Sequence, residues 1–165
     1  RIEHCTVVTP NILERMKSLG TIATPFCTYV YHHGEKMRFF GEQRLKWMFA
    51  QKSFLEYGIT STGATDSPPG PFEPLLGIQS CVTRTDSNGN IWGPEQRISV
   101  EEALKIYTIN GAYASFEERL KGSISQGKLA DLVVLSEDPT QVSPDVIKDI
   151  SVERTILGGK TVYKG

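Results

Sequence analysis

The sequence predicts an α/β protein: strands and helices in alternation that build a parallel sheet, followed by a small β-unit. Three observations predict it. Strand-like and helical segments alternate from residue 2 to about residue 64. Beyond about residue 115 the character changes to short β-like runs at Leu132–Leu135, Val152–Leu157 and residues 161–163, separated by turns such as Gly158-Gly159. Between the two regions, Gly122 and Gly127 mark tight turns, and the step Lys128-Leu129-Ala130-Asp131 runs into the apolar residues Leu132 to Leu135, a turn entering a buried strand.

Each element has its own signal. Residues 2–8 read as a strand. Thr9 is an N-cap with Pro10 at the first helical position, Ile12, Leu13, Met16 and Leu19 recur at helical spacing, and Gly20 is the stop. Residues 21–26 are a second strand, followed by a polar and aromatic loop holding Tyr29, Tyr31, His32 and His33. Residues 43–57 read as one helix, with Leu45, Met48, Phe49, Lys52 and Leu55 near one stripe and Gly58 ending it. Residues 59–64 are a third strand, ending at Thr65-Asp66-Ser67-Pro68. Pro74–Thr83 is a short helix, residues 86–90 are a loop, and Ser99-Val100-Glu101-Glu102 is a capping box. The helix that box opens carries Val100, Ala103, Leu104, Tyr107 and Ala114 against the sheet. This rhythm fits an open doubly wound sheet or a barrel. The C-terminal strands are too few to close a sandwich by themselves, so their partners are expected from elsewhere.

Composition narrows the function. The chain has 165 residues, 39% apolar and 22% charged, with 15 glycines and 9 prolines, which suits a turn-rich globular protein. A net charge of −1 with scattered lysines and arginines gives no electrostatic support for nucleic acid or a membrane surface. No apolar stretch approaches the roughly 20 residues that span a bilayer. Cys5, Cys27 and Cys81 are an odd count without CxxC spacing, expected as small buried apolar residues and reduced thiols of a cytoplasmic protein. Arg1-Ile2-Glu3-His4 has neither a charged n-region nor an apolar core, and the chain opens on strand-like sequence without methionine. A piece of a longer polypeptide is the expectation.

Two residues stand where parallel α/β folds collect their chemistry, at the carboxyl ends of strands: His4 and Asp66. Strand alternation places His4 and Cys5 on opposite faces. Taken singly, His4 also reads as a structural histidine and Asp66 as a turn aspartate. The Gly122 to Lys128 stretch meets GxxxxGK spacing, but Leu129 follows the lysine and a strand follows the loop, so no phosphate cradle forms.

Arg1-Ile2-Glu3-His4, Ala64-Thr65-Asp66-Ser67-Pro68, the helix at 101–114 with Asn110-Gly111-Ala112, and residues 122–135 occur in the order found in amidohydrolases. Across essentially the whole chain, the sequence most resembles the amidohydrolase 3 branch of that superfamily, the YtcJ-like proteins related to N-substituted formamide deformylase. The resemblance implies residues 1–115 as the C-terminal part of a distorted TIM barrel, about strands 6–8, and residues 116–165 as the C-terminal strands of a small accessory β-sandwich. It implies His4 as the metal-binding histidine of strand six, and Asp66 as metal ligand and proton shuttle at the end of strand eight. The family usually reads Gly-Ser-Asp where this chain has Ala64-Thr65-Asp66, which keeps a hydroxyl beside the aspartate and adds bulk.

The implied activity is hydrolysis of a non-peptide carbon–nitrogen bond in an amide, formamide or cyclic amide. A divalent metal, expected to be zinc, lowers the pKa of water to about 7 and polarises the carbonyl, while Asp66 acts as base and then acid. His33 is a candidate substrate contact on the predicted loop. Both His32 and His33 otherwise read as solvent-exposed or core-edge residues, and Phe72, Pro74 and Leu75 either line the rim or serve in packing. The family's His-x-His pair, its strand-four lysine or acid and its strand-five histidine have no counterpart here, so this chain alone is expected to be inactive and to bind catalytic metal weakly or not at all. Its expected partners are a small amide-type substrate, the missing N-terminal half of the same protein, and further copies of itself. The alternative is a non-catalytic half-barrel that self-associates through its exposed edges.

Overall fold

The computed structural model describes residues 1–165 except Pro69 and Pro71. Three short extended stretches lie side by side in chain order. β1 (Ile2–Glu3) pairs in parallel with β2 (Ala23–Thr24), Ile2 opposite Ala23 and Glu3 opposite Thr24. On the other side of β2, the Ala23 N–H donates to the Thr60 carbonyl (3.0 Å) and the Thr62 N–H to the Ala23 carbonyl (2.9 Å), a parallel bridge between Ala23 and Ser61. The expected parallel α/β order holds, but the strands are far shorter than their sequence signals at 2–8, 21–26 and 59–64. For the first, the backbone gives the reason. It turns through positive φ at His4 (63°) and Cys5 (42°), and residues 6–8 then face residues 47–49 instead, with Val7 bridged antiparallel to Met48.

The first helix and the capping box follow the sequence signals. α1 (Pro10–Ser18) is capped by Thr9, whose hydroxyl oxygen accepts from the Ile12 N–H, and it buries Leu13 and Met16. α6 (Val100–Tyr107) opens with the reciprocal Ser99–Glu102 pair. Three expectations are corrected. The loop holding His32 and His33 is α2 (Thr28–Met37), with a break in helical geometry at His33 (φ −137°, ψ 21°). The single helix at 43–57 is two short ones, α3 (Glu42–Leu45) and α4 (Gln51–Glu56), separated by Phe49 at φ 47°. The helix carrying Ala114 is also two, because α6 stops at Thr108 (φ −126°, ψ −93°) before α7 (Ile109–Ala114). There the Thr108 hydroxyl donates to the Leu104 carbonyl at 2.6 Å, taking a freed acceptor of the last turn.

The break between α3 and α4 has a partner in the core. α5 (Pro74–Thr83) ends at Arg84, which sits in the left-handed region (φ 56°) and is fully buried. Its guanidinium donates to the carbonyls of Met48 (3.1 Å), Phe49 (3.1 Å) and Trp92 (2.9 Å). Acceptors that a continuous helix would have satisfied are met by a side chain from another element. Around it lies the larger apolar core, with Cys27, Val30, Met37, Phe49, Ile78, Cys81 and Ile106. Val8, Leu13, Met16, Ala23, Phe54 and Ile59 form a second cluster under α1.

The C-terminal unit is an antiparallel sheet of β3 (Leu132–Leu135), β4 (Val152–Leu157) and β5 (Lys160–Lys164) in that order. The 3₁₀ segment Pro144–Asp149 joins β3 to β4 and packs on α5. Ile147 and Ile150 enter the larger core, and the Lys148 N–H donates to the Gln79 side chain (3.0 Å). Two expectations are corrected here: the strands pair with one another and not only with partners from elsewhere, and the strand expected to be buried exposes Val133 and Val134, as do Leu157, Val162 and Tyr163 in the rest of the sheet.

Replacing Arg84 with methionine fills the space but removes the donor from the carbonyls of Met48 and Trp92, and leaves the Phe49 carbonyl with only the Gln51 N–H (2.9 Å). Arg84→Met is expected to lower unfolding free energy by about 3 kcal/mol or more, read as a drop in the urea midpoint. An unchanged midpoint contradicts this account of the break.

Candidate functional site

His4 and Asp66 converge. His4 follows β1 and Asp66 follows the stretch at 60–62, so both occupy the carboxyl ends of the parallel stretches, and His4 Nε2 stands 3.2 Å from Asp66 Oδ1. Both residues have positive φ, 63° at His4 and 58° at Asp66, uncommon for non-glycine residues. The alternation argument for His4 and Cys5 therefore does not apply: neither has strand geometry, and the turn sets where each points. Cys5 is half-buried, and burial pushes its thiol up to about 11, so it stays protonated at neutral pH. Cys27 and Cys81 are buried free thiols.

The turn after Asp66 is tight. The Gly70 N–H donates to the Asp66 carbonyl (3.2 Å), and a side chain at Gly70 would run into the Thr65 carbonyl. An aromatic chain connects the site to the core. The Phe26 ring meets His4 edge-on (centroids 5.0 Å apart) and also meets Tyr29 (5.9 Å) and Phe49 (5.3 Å). A cavity of about 440 Å³ opens beside Asp66, lined in part by Phe26, Tyr29, His32, His33 and Thr65.

His33 thus reaches the cavity from a helix instead of a loop. Its Nδ1 lies 3.2 Å from the Lys36 ammonium, which can only donate, so a neutral His33 carries its proton on Nε2. His32 Nε2 is buried without a hydrogen-bond partner among the described residues. Phe72 is exposed, Pro74 opens α5 and Leu75 packs against the core, and none of the three lines the cavity. Phe26 and Gly70 were not singled out from sequence, and Tyr29 only as a member of the predicted loop. The aromatics Phe26 and Tyr29, so close in sequence just beyond a strand, were the available signal.

The donor chemistry of the pair suits a divalent metal. An imidazole nitrogen and a carboxylate oxygen, each about 2.0–2.1 Å from a tetrahedral zinc ion, stand about 3.3 Å apart. The observed separation is 3.2 Å, and the side chains remain 61% and 38% exposed, open to an ion. Among the described residues no third His, Cys, Asp or Glu joins them to form a metal-holding group.

Comparison with known proteins gives the family. The family profile described as Amidohydro_3, the amidohydrolase family, matches residues 1–163. The chain belongs to this amidohydrolase family. It is 37% identical over 127 residues to the putative amidohydrolase YtcJ of Bacillus subtilis (strain 168), covering 75% of this chain and 24% of that protein. It is 31% identical over 167 residues to the N-substituted formamide deformylase of Arthrobacter pascens, covering 99% of this chain and 31% of the deformylase. The crystal structure of an uncharacterized metal-dependent hydrolase from Pyrococcus furiosus superposes with a TM-score of 0.72 at 29% identity, over 86% of this chain and 29% of that one. The chain therefore spans about a quarter to a third of the length of these amidohydrolase-family relatives.

One pH dependence follows from the cavity wall. Burial lowers the pKa of His32, the charge of His33 adds to the shift, and Glu73 opposes it. The unfolded chain takes up this proton near pH 6.5 and the folded chain resists it. The stabilising difference is thus full above about pH 6.5 and is lost as pH falls through the lower folded value. Chemical denaturation between pH 7 and pH 5 should show stability falling on acidification, with a smaller slope in His32→Gln. Equal slopes would remove His32 from this account.

Proposed function

We propose that the protein containing this chain is a metal-dependent hydrolase of non-peptide carbon–nitrogen bonds, acting on an amide, formamide or cyclic amide. The observation that carries the reading is the approach of His4 Nε2 to Asp66 Oδ1 at the strand ends, 3.2 Å apart. Family membership and the metal-dependent hydrolase similar in fold support it. In this reading residues 1–115 are about strands 6–8 of a distorted TIM barrel and residues 116–165 are strands of an accessory β-sandwich. The remaining ligands come from the N-terminal part of the same protein, and this chain alone is inactive.

His4 and Asp66 would hold the ion. The ion, zinc in our reading, supplies Lewis acidity that polarises the scissile carbonyl and acidifies the attacking water. The Asp66 carboxylate orients that water and takes its proton as the oxygen bonds to the carbonyl carbon. The resulting carboxyl then gives the proton to the nitrogen as the carbon–nitrogen bond breaks, which frees an amine and a carboxylic acid from an open-chain substrate. His33, with its proton on Nε2, offers a donor to a substrate acceptor in the cavity. Phe26 and Tyr29 give that cavity an aromatic wall. A cytoplasmic location and self-association belong to the same proposal. Unpaired thiols support the first, and the exposed apolar residues of the C-terminal sheet support the second.

The test is metal analysis with a hydrolysis screen of amides and N-substituted formamides on the full-length protein. Asp66→Asn should lower kcat on any substrate found by about 10²- to 10⁴-fold, and His4→Ala should reduce bound zinc. Full activity in Asp66→Asn sinks the proton-shuttle assignment. Stoichiometric zinc held by His4 and Asp66 in the isolated chain overturns the claim that further ligands are required.

A further inference from the structure

We propose that Asn110 is a positioning residue that fixes where Asp66 stands in the metal site, acting through the backbone of the stretch at 60–63. The proposal rests on the reading of His4 and Asp66 as metal ligands. Backbone groups of an extended chain alternate between its two edges. On one edge, the Thr60 carbonyl and the Thr62 N–H bond to Ala23 of β2. On the opposite edge, the Ser61 carbonyl accepts from the Asn110 side-chain amide (2.9 Å) and the Gly63 N–H donates to the Ile106 carbonyl (3.3 Å). The α6–α7 junction thus supplies the partners of these two groups, and Asn110 is its side-chain donor.

The grip is close. The Tyr107 ring lies so near Gly63 and Gly77 that a methyl group on either glycine would overlap it. From within the core, the Ser61 hydroxyl donates to the Gln51 side-chain oxygen (2.7 Å) and the Gln51 amide donates to the Thr62 carbonyl (3.4 Å). The stretch is therefore fixed on three sides shortly before the chain reaches Asp66. The break at Thr108 separates α7 from α6, and Asn110 lies in the first turn of α7. Asp66 itself sits at φ 58°, a conformation that its surroundings must maintain. Removing the Asn110 donor frees the outer edge of the Ser61 peptide and lets the Asp66 carboxylate drift from His4 without touching either ligand.

The test uses the full-length protein. Zinc affinity is measured by competition with a chromophoric chelator, and the visible bands of the cobalt(II)-substituted protein report ligand geometry. Asn110→Leu should bind zinc about 10- to 100-fold more weakly, the range seen when a group that orients a ligand is lost, with shifted cobalt bands. Asn110→Asp keeps the shape and removes the donor, so it reads the same way if the leucine variant does not fold. Thr108→Val loses the neighbouring bond to Leu104 and should lower Tm without changing zinc affinity or the cobalt spectrum. Wild-type zinc affinity and spectrum in the Asn110 variants, or an equal loss in Thr108→Val, overturns the proposal. His4→Ala is measured in parallel: unchanged affinity there identifies a failure of the metal-site reading itself, and the role of Asn110 falls with it.

Discussion

Arg84 donates from the end of α5 into a gap that no regular element fills. Its guanidinium meets the buried carbonyls of Met48 and Phe49 and the half-buried one of Trp92. A buried charge is tolerated where hydrogen bonds replace its water, and here the backbone supplies them. The consequence reaches beyond Arg84. With the Met48 and Phe49 carbonyls satisfied from the side, the chain between α3 and α4 can leave helical geometry, and Phe49 takes up φ 47° with its ring fully buried.

That ring is the link to the site. Phe49 supports Phe26 and Tyr29, Phe26 meets His4, and the Phe49 N–H donates to the Thr6 carbonyl two residues beyond His4. His4, Cys5, Phe49 and Asp66 all have positive φ. Each such non-glycine residue costs about 1–3 kcal/mol and persists only where the surroundings fix it. These four lie at or near the pair that would bind metal; Arg84 at the end of α5 bonds to the Phe49 carbonyl, and α4 and the α6–α7 junction bond to the stretch at 60–63 that leads to Asp66. The third parallel stretch is thus a short segment held in part by the side chains of Asn110 and Gln51, not by a long ladder.

Local chemistry was the legible part of the sequence. Thr9 and Ser99 cap as their types require, Gly20 ends its segment at φ 61°, and the β-like runs of the C-terminal region do form strands, though they pair with one another where partners from elsewhere were expected. Legibility ended where tertiary contacts decide. The stripe from Leu45 to Leu55 is helical in pattern, yet Arg84 and the Val7–Met48 bridge interrupt it. α2 begins at Cys27 without a side-chain cap, so nothing local announced a helix around His32 and His33. His4 and Asp66 were recognisable from their motifs and strand-end places. Their convergence depends on two left-handed turns at non-glycine residues, which residue types do not reveal. The roles of Asn110 and Phe26 were hidden for the same reason, since each acts through a contact distant in sequence.

Family membership and the geometry of the pair lead to one central claim: His4 and Asp66 are ligands of the same divalent ion. The most direct measurement is anomalous diffraction at the zinc edge from crystals of the zinc-loaded full-length protein. The account predicts an anomalous peak within bonding distance of both His4 Nε2 and an Asp66 carboxylate oxygen, about 2.0–2.2 Å from each. A fully occupied zinc that touches neither residue, or that binds elsewhere while His4 and Asp66 stay paired to each other, would contradict it.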